Sequence, residues 1–427
     1  MVIGKGAVKG SLSETEVREL LAKGLAQADL GGKRVLVLIP DSTRSAPVPM
    51  FFRLFHELLA GSTRQLDFLI ALGTHPAMSE PAVNRLLGLT DAERKGKYRK
   101  VGVFNHRWDL PETLTTIGTI SADEIESITG GLMREEVPVA LNRMVFDYDR
   151  IVICGPTFPH EVVGFSGGNK YLFPGIGGPE IINMFHWLGA VITNPVINGT
   201  IRTRVREVVN RAAAMLSVPR LCVSLVVYFS ELRGMYVGTP EEAFQSAAEL
   251  SARIHVVYVK KPFRQVLSVA PKMYDDVWTA GKCMYKLEPV LADGAELIIY
   301  APHVEEISYT HGKVLDRIGY HVRDYFLSRM EQFAGVPRGV MAHSTHVKGI
   351  GTFAAGVERP RVNVVLATAI PEERCRLVNL DYRDPGSIEP QSFAGREDEG
   401  VLLVPKAGEI LYRLEDGSVP RIPGDPD

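Results

Sequence analysis

The chain has few of the features that mark secreted, membrane-bound or nucleic-acid-binding proteins. Its 427 residues include only 4 cysteines, and none forms a C-x-x-C pair, so we expect buried, reduced thiols and a cytoplasmic location. The 48 basic and 50 acidic residues give a net charge of -2, which provides no overall field for a nucleic acid or an anionic membrane. No run reaches the ~20 apolar residues that span a bilayer, and we expect no signal peptide.

Buried apolar runs alternate with amphipathic stretches along the chain. Strands are predicted at residues 34–39, 66–72, 151–154, 221–229, 266–270, 295–300 and 363–367. Helices are predicted at residues 13–21, 47–59, 240–254 and 275–291. This alternation favours an α/β protein with mainly parallel sheets that are covered on both faces.

The length of the chain and a restart of the pattern near residue 262 predict two α/β domains. We place the N-terminal domain at residues 1–261 and the C-terminal domain at residues 262–400. Residues 401–427 are expected to form a C-terminal tail. One alternative is that this tail packs back on the first domain. We expect the active site in the interdomain cleft.

The stretch 159–175 follows a predicted strand and carries many reactive groups. It contains, in order, His160, Ser166, Gly167, Gly168 and Lys170. Open α/β proteins bind their ligands in loops at the carboxyl ends of strands. The order Gly-Gly-Asn-Lys-Tyr differs from the P-loop, which needs Gly directly before the lysine and Ser or Thr directly after it. A tight turn with a solvated lysine is the default interpretation, and the neighbouring groups argue against it.

Other reactive side chains occupy similar positions. They are Asp41 and Arg44 after the strand 34–39, His75 after the strand 66–72, His186 in a predicted helix and Lys282 in the helix 275–291. Arginine suits two-pronged binding of a carboxylate or phosphate. A single histidine is more often structural than catalytic, but several histidines near strand ends indicate a site. His343 and His346 have the spacing of a metal-binding pair, but we predict that they lie in a solvated loop.

These motifs together resemble one known family. Asp41-Ser42-Thr43-Arg44, Gly73-Thr74-His75, the His160 to Lys170 loop with Phe173-Pro174-Gly175, and His186 resemble the nickel-dependent lactate racemase family of 2-hydroxyacid racemases and epimerases. The spacings of ten and sixteen residues around Lys170 match that family, and the resemblance extends from about residue 41 to about residue 366. Linked spacings are more specific than a single motif.

The resemblance implies a nickel-pincer nucleotide, pyridinium-3,5-bisthiocarboxylic acid mononucleotide nickel, made by cofactor maturation proteins. It implies that Lys170 attaches the cofactor through a thioamide and that His186 is the protein ligand of the metal, since neutral imidazole suits nickel. The resemblance also implies cofactor contacts from Asp41, Ser166, Gly167 and Gly168. Asp41 would position either the cofactor or the side chain of Arg44.

The resemblance also assigns the chemistry. His75 and His160 would be the acid/base pair, and Arg44 and Lys282 would hold the substrate carboxylate. The α-proton beside an ionised carboxylate is weakly acidic, so oxidation to a 2-ketoacid and re-reduction on the other face is the easier route to inversion. A histidine then takes the hydroxyl proton while hydride leaves the carbon.

The sequence departs from lactate-specific members of this family at two positions. Asn169 stands where those members have arginine, and Thr279, a candidate substrate contact, stands where they have glutamine. The polar stretch 308–313 and Tyr320-His321 add groups that a methyl side chain does not need. We therefore expect a larger, polar 2-hydroxyacid such as a sugar acid.

Three alternatives use parts of the same motif set. A nucleotide- or phosphate-binding ligase could use Gly167, Gly168 and Lys170, but it gives the histidines no task. A zinc hydrolase could use three histidines, but no H-E-x-x-H motif occurs. A non-catalytic sugar-acid sensor could keep Arg44 and Lys282, but it has no use for Lys170 and His186.

Overall fold

The computed structural model describes residues 1–425 and divides the chain into two compact units. The first unit comprises Met1–Phe158, Phe165–Ile182 and Arg206–Ile254. The second comprises Pro159–Gly164, Asn183–Val205 and the chain from His255 onward. The last segment of the second unit begins at His255, close to the predicted boundary after residue 261. The second unit also contains two segments that lie before that boundary.

The first unit is built on a seven-stranded sheet. In spatial order its strands are Ile3–Gly6, Glu231–Gly238, Arg220–Tyr228, Arg150–Pro156, Arg34–Ile39, Gln65–Ile70 and Val103–Asn105. The five strands from Arg220–Tyr228 to Val103–Asn105 run parallel, and the other two pair antiparallel. A separate antiparallel pair is formed by Leu114–Ile120 and Val137–Asn142.

The central strands are held between buried apolar side chains. Residues Val35 to Ile39 are all buried, as expected for a parallel strand with both faces covered. The helix Val48–Leu59 packs its aromatic side chains on this core, and the ring of Phe52 lies 4.9 Å from Phe68 and 5.0 Å from Tyr98. This packing fixes the strand ends from which the candidate site residues emerge.

The second unit contains a five-stranded parallel sheet. In spatial order its strands are Asp381–Tyr382, Asn363–Thr368, Leu291–Ala301, Phe263–Val269 and Val401–Val404. Two smaller pairs are Val256–Val259 with Leu411–Leu414, which is parallel, and Gly351–Ala354 with Val357–Pro360, which is antiparallel. Residues 401–414 of the predicted tail thus join sheets of the second unit.

Helices and short turns complete both units. The α-helices are Glu14–Ala26, Val48–Leu59, Glu80–Leu87, Asp91–Lys95, Ala122–Thr129, Pro179–Ile192, Asn194–Ile197, Arg204–Ala214, Pro240–His255, Val277–Ala280, Lys282–Tyr285, Gly312–Ile318, Arg323–Leu327, Arg338–Lys348 and Glu372–Leu377. The 3-10 helices are Pro111–Thr113, Arg143–Asp147, Gly168–Tyr171, Glu288–Val290, Met330–Phe333, Pro385–Ser387, Pro390–Phe393 and Glu397–Glu399, and two short strands are Pro159–His160 and Gly164–Phe165. None of the helices within residues 1–425 is both long and apolar enough to cross a membrane.

The α/β class with mainly parallel sheets is confirmed, whereas two local predictions were wrong. The single helix predicted at residues 275–291 is interrupted by Gly281 and ends before Pro289, because glycine weakens a helix and proline lacks the N–H that continues it. The solvated loop predicted for His343 and His346 is the buried helix Arg338–Lys348. Tertiary burial stabilises this helix despite its polar sequence.

Candidate active site

Asp41, Thr43, Arg44 and His75 form one hydrogen-bonded group in the first unit. They follow the neighbouring parallel strands Arg34–Ile39 and Gln65–Ile70, whose carboxyl ends lie at the same edge of the sheet. Nδ1 of His75 lies 2.5 Å from Oδ2 of Asp41, and the Thr43 hydroxyl donates to Oδ1 of Asp41 at 2.6 Å. Nη1 of Arg44 donates to the Thr43 hydroxyl at 2.7 Å. The structure thus brings together three residues that the sequence singled out.

Electrostatics favour a charged Asp41 in this group. The carboxyl is buried, which opposes its charge, but the charge and hydrogen bond of His75, the charge of Arg44 and the hydrogen bond of Thr43 outweigh burial. These partners lower the pKa of Asp41 well below its usual range. An ionised Asp41 accepts the Nδ1–H of His75, so the other ring nitrogen, Nε2, carries a lone pair when the imidazole is neutral.

Two backbone contacts hold the loop that carries His75. The indole N–H of Trp108 donates to the His75 carbonyl at 3.1 Å. The backbone N–H of Gly73 donates to the Gly175 carbonyl at 3.0 Å, and Gly175 in turn donates to the Lys170 carbonyl at 3.1 Å. The His75 loop is therefore tied to the stretch that carries Lys170.

Internal packing accounts for the two glycines before Lys170. Gly167 and Gly168 have φ of 90° and 60°, which favour glycine. A Cβ on Gly167 would lie 2.3 Å from the Thr157 hydroxyl, and one on Gly168 would lie 2.9 Å from Cβ of Phe244. The paired glycines therefore permit close contact with the protein itself.

Ser166 and Asn169 also point to internal partners. The Ser166 hydroxyl donates to the Pro156 carbonyl and accepts the N–H of Phe158, both at 3.0 Å. Nδ2 of Asn169 donates to Asn210 at 3.0 Å and to Glu241 at 2.6 Å. Asn169 is buried, so its amide group serves interior partners.

Two buried oxygens in this region have no hydrogen-bond partner within residues 1–425. They are the Thr157 hydroxyl, which lies against Gly167, and Oδ1 of Asn169, which is part of the turn Gly168–Tyr171 that carries Lys170. Buried polar atoms are usually satisfied, and an unsatisfied one often marks a strained or functional position. Lys170 itself is partly exposed.

His160, in the second unit, lies in a polar environment that differs from that of His75. Its Nδ1 accepts the backbone N–H of Val162 at 3.1 Å and lies 3.5 Å from the carboxylate of Glu161. The buried Lys286 donates to the carbonyl of the preceding Pro159. The sequence had not singled out Glu161 or Lys286.

His186 is partly exposed on the helix Pro179–Ile192, where its ring stacks on Phe185 at 4.6 Å. Near it lies His343, whose pKa is lowered well below its usual range by burial first and by the charges of His346, His311 and His186. No cluster of three or more His, Cys, Asp or Glu side chains able to hold a metal occurs in the described part of the chain.

Thr279 lies beside the polar stretch 308–313 in the second unit. Asp276 joins the two, because its carboxylate accepts the backbone N–H of Thr279 at 2.9 Å and that of Tyr309 at 3.3 Å. Burial raises the pKa of Asp276. The ammonium group of Lys282 lies 4.8 Å from the centre of the Tyr274 ring, a cation–π contact.

An aromatic stack that the sequence did not reveal borders this region. The indole of Trp278 lies 4.0 Å from the ring of His343 and 4.5 Å from that of His311. Tyr285 places its hydroxyl 2.9 Å from Nδ1 of His343. Four rings from separate elements contribute, so no regular spacing in the sequence could have indicated the stack.

Comparison with known proteins agrees with the motif set. The family model described as the lactate racemase N-terminal domain matches residues 8–197. A lactate racemase from Thermoanaerobacterium thermosaccharolyticum is 24% identical over 316 residues, which cover 69% of this chain and 67% of that protein. The N-terminal part of the chain, residues 8–197, belongs to the lactate racemase family. This match supports an isomerase activity of the racemase class.

Two solved structures of similar proteins extend the comparison to almost the whole chain. A crystal structure of a protein from Thermotoga maritima is 35% identical, with a TM-score of 0.87, and the match covers 95% of this chain and 99% of that one. The lactate racemase apoprotein from Thermoanaerobacterium thermosaccharolyticum is 17% identical, with a TM-score of 0.70 and coverage of 94% and 93%. The second likeness shows that the two chains share a fold.

Proposed function

We propose that this protein is a racemase or epimerase that inverts C2 of a polar 2-hydroxyacid, such as a sugar acid. The observation that carries the proposal is the pair formed by Asp41 and His75, at 2.5 Å, with Arg44 held beside it through Thr43. This group offers a base and a carboxylate-binding cation at one edge of one sheet.

His75 has the arrangement expected of a general base. Asp41 accepts its Nδ1–H, fixes the ring orientation and stabilises the cation that forms when Nε2 takes up a proton. The proton taken up is that of the substrate C2 hydroxyl. We assign His160 as the second acid/base group, which serves the opposite enantiomer.

Arg44 and Lys282 are the proposed partners of the substrate carboxylate. Among residues 1–425, Arg44 forms hydrogen bonds only through Nη1, so Nε and Nη2 can grip a carboxylate with two parallel bonds. The cation–π contact with Tyr274 restrains the ammonium group of Lys282. A fixed carboxylate keeps the reacting carbon in place and retains the ketoacid.

We propose a nickel-pincer pyridinium mononucleotide as cofactor, supplied by maturation proteins. The residues present suit it: Lys170 is a partly exposed lysine in a turn near two unsatisfied buried oxygens, and His186 is a partly exposed imidazole on the helix Pro179–Ile192. When bound, this group would accept the hydride of C2 and return it. Lys170 would attach it and His186 would bind the metal, while Asp41, Ser166, Gly167 and Gly168 would shape the surroundings.

The preference for a polar substrate rests on Thr279 and the stretch 308–313. Asp276 holds their backbones together, and Ser308 is buried beside them. A site built to bind hydroxyl groups rejects analogues that lack them, because its own polar atoms are then left unpaired. A cytoplasmic location is part of the proposal and is supported by four buried cysteines without disulfides.

The proposal is tested with protein produced together with its maturation proteins. Single enantiomers of lactate, malate and several aldonic acids are incubated with the loaded protein, and the inverted product is measured by chiral chromatography. We expect inversion of at least one aldonic acid and much weaker turnover of lactate. Faster lactate turnover would contradict the substrate class only. ATP-dependent turnover would favour a ligase, and binding of a sugar acid without inversion would favour a sensor.

A further inference from the structure

Nδ1 of His160 has two neighbours with opposite requirements. The backbone N–H of Val162 donates to this nitrogen at 3.1 Å, so it fits an unprotonated Nδ1. The carboxylate of Glu161 lies 3.5 Å away and can only accept, so it fits a protonated Nδ1. Both His160 and Glu161 are largely withdrawn from solvent, with side-chain exposures of 9% and 15%.

This arrangement decides which nitrogen of His160 can accept a proton. A neutral imidazole carries one N–H. While Val162 donates to Nδ1, the ring hydrogen resides on Nε2, and that nitrogen can donate but not accept. His160 can act as a base through Nε2 only when Nδ1 carries the hydrogen, and Nδ1–H then needs an acceptor. Glu161 is the carboxylate within reach.

Other polar and titratable side chains surround His160 and Glu161. Lys286 is buried and donates to the carbonyl of Pro159, the residue before His160. Burial lowers the pKa of His346 to about 4, while the charge of Glu161 acts in the opposite direction. Glu161 also interacts electrostatically with Tyr285. Glu161 therefore acts electrostatically on several side chains of this region.

We propose that Glu161 is a positioning residue for His160, in the way that Asp41 is for His75. The inference rests on the proposed function, since it presumes that His160 is an acid/base group. Before His160 acts as a base, its hydrogen moves from Nε2 to Nδ1, where Glu161 accepts the N–H. Nε2 then takes the substrate hydroxyl proton, and the imidazolium later returns that proton to the same oxygen.

The two histidines consequently start from different states. His75 is bound to Asp41 at 2.5 Å and rests with the lone pair on Nε2. His160 rests as a donor at Nε2 because Val162 occupies Nδ1. Only His160 therefore needs a shift of its ring hydrogen before it can act as a base.

Nuclear magnetic resonance of the full chain labelled with ¹⁵N-histidine tests the inference without a cofactor. Long-range ¹H–¹⁵N spectra report the tautomer and pKa of each imidazole, and H160Q identifies the His160 signals. We expect E161Q to increase the Nε2–H form of His160 and to lower its pKa by about one unit, because an opposite charge within about 4–6 Å favours the charged form. E161D should restore part of both effects.

The matched control is E373Q, which removes a carboxylate from an exposed position of the helix Glu372–Leu377 in the same unit. It should leave the His160 signals unchanged. An unchanged tautomer and pKa of His160 in folded E161Q would overturn the inference.

Kinetics of the loaded protein provide a second readout. E161Q should lower kcat by about 10²-fold or more, with little change in KM, since a misplaced general base loses its contribution of roughly 10²–10⁴. The loss of kcat/KM must be equal in both directions, because the equilibrium constant does not depend on the enzyme. If the wild-type protein inverts no hydroxyacid, the proposed function fails, while the spectra still decide the role of Glu161.

Discussion

The imidazole of His106 donates from Nε2 to the carbonyl of Gly177 at 3.1 Å, in the interior of the first unit. The amide of Asn142 donates to the other ring nitrogen at 3.2 Å, so both nitrogens are satisfied by a neutral ring. His106 therefore fastens the chain that follows Lys170 to the main sheet.

The neutral state of His106 makes stability depend on pH. Burial lowers its pKa to about 4, and the hydrogen bond with Gly177 offsets this only in part. Unfolded histidine titrates near pH 6.5, so below that pH the unfolded chain binds a proton that the folded chain refuses. Stability is complete above about pH 6.5 and falls as the pH drops towards 4, by about 2 kcal/mol at pH 5 from this residue.

Urea unfolding of the first unit at pH 7 and pH 5 measures this effect. We expect the difference between the two pH values to shrink by about 2 kcal/mol in H106Q, because glutamine takes up no proton in this range. The exposed His303 supplies the control, and H303Q should keep the wild-type difference. An equal pH dependence in H106Q and the wild-type protein would show that His106 is not the group that titrates.

Loss of the Asp41–His75 pair should affect turnover far more than binding. D41N should lower kcat by roughly 10²–10⁴, because asparagine does not stabilise the imidazolium and can hold the ring in the wrong tautomer. H75Q should cause a loss of the same order, and the double variant should be little worse than either single variant. Steady-state kinetics on loaded protein give these values, and independent, multiplicative losses would argue against a functional pair.

The close contact at Gly167 predicts a large cost for alanine. G167A meets a positive φ of 90° and a Cβ only 2.3 Å from the Thr157 hydroxyl. The backbone term costs about 1–2 kcal/mol and the overlap adds about 1–3 kcal/mol. Gly131 has a similar φ of 84° but no atom within 4 Å of its would-be Cβ, so G131A isolates the backbone term. Equal losses in urea unfolding would show that the overlap relaxes without cost.

Cofactor attachment can be tested separately from activity. Peptide mass mapping of protein produced with its maturation proteins should reveal an adduct on Lys170, and K170R should carry none. H186A should lose bound nickel in elemental analysis while H303Q retains it, because a pincer ligand leaves one position for an imidazole. Full nickel content in H186A would remove that histidine from the metal site. An unmodified Lys170 in active protein would exclude covalent attachment.

Sequence patterns predicted the strands of this protein better than the contacts between loops. The run at residues 34–39 coincides with the strand Arg34–Ile39 because a parallel strand with two covered faces reads as a continuous apolar segment. The helix Arg338–Lys348 was missed because glycine, serine, threonine and histidine have low helix propensity, and burial decides its conformation.

The candidate site shows the same limit. Asp41, Arg44 and His75 could each be nominated from their places after strands, since carboxyl ends of parallel strands meet at one edge. Asp41 and His75 are 34 positions apart in the sequence, and their hydrogen bond depends on side-chain directions that no local pattern encodes. Glu161 escaped notice for a similar reason, because a glutamate beside a histidine is ordinary until the ring nitrogen that faces it is known.

The strand Ile3–Gly6 has a consequence for handling the protein. It pairs along its whole length with Glu231–Gly238, from Ile3 opposite Val237 to Gly6 opposite Gly234, and so covers what would otherwise be the outer edge of the seven-stranded sheet. Exposed edges with unsatisfied N–H and C=O groups recruit strands from other molecules. Ile3–Gly6 is itself an edge, but it is half as long as Glu231–Gly238. Removing residues 1–6 would therefore expose a longer edge and should promote self-association, although these residues lie outside the proposed chemistry.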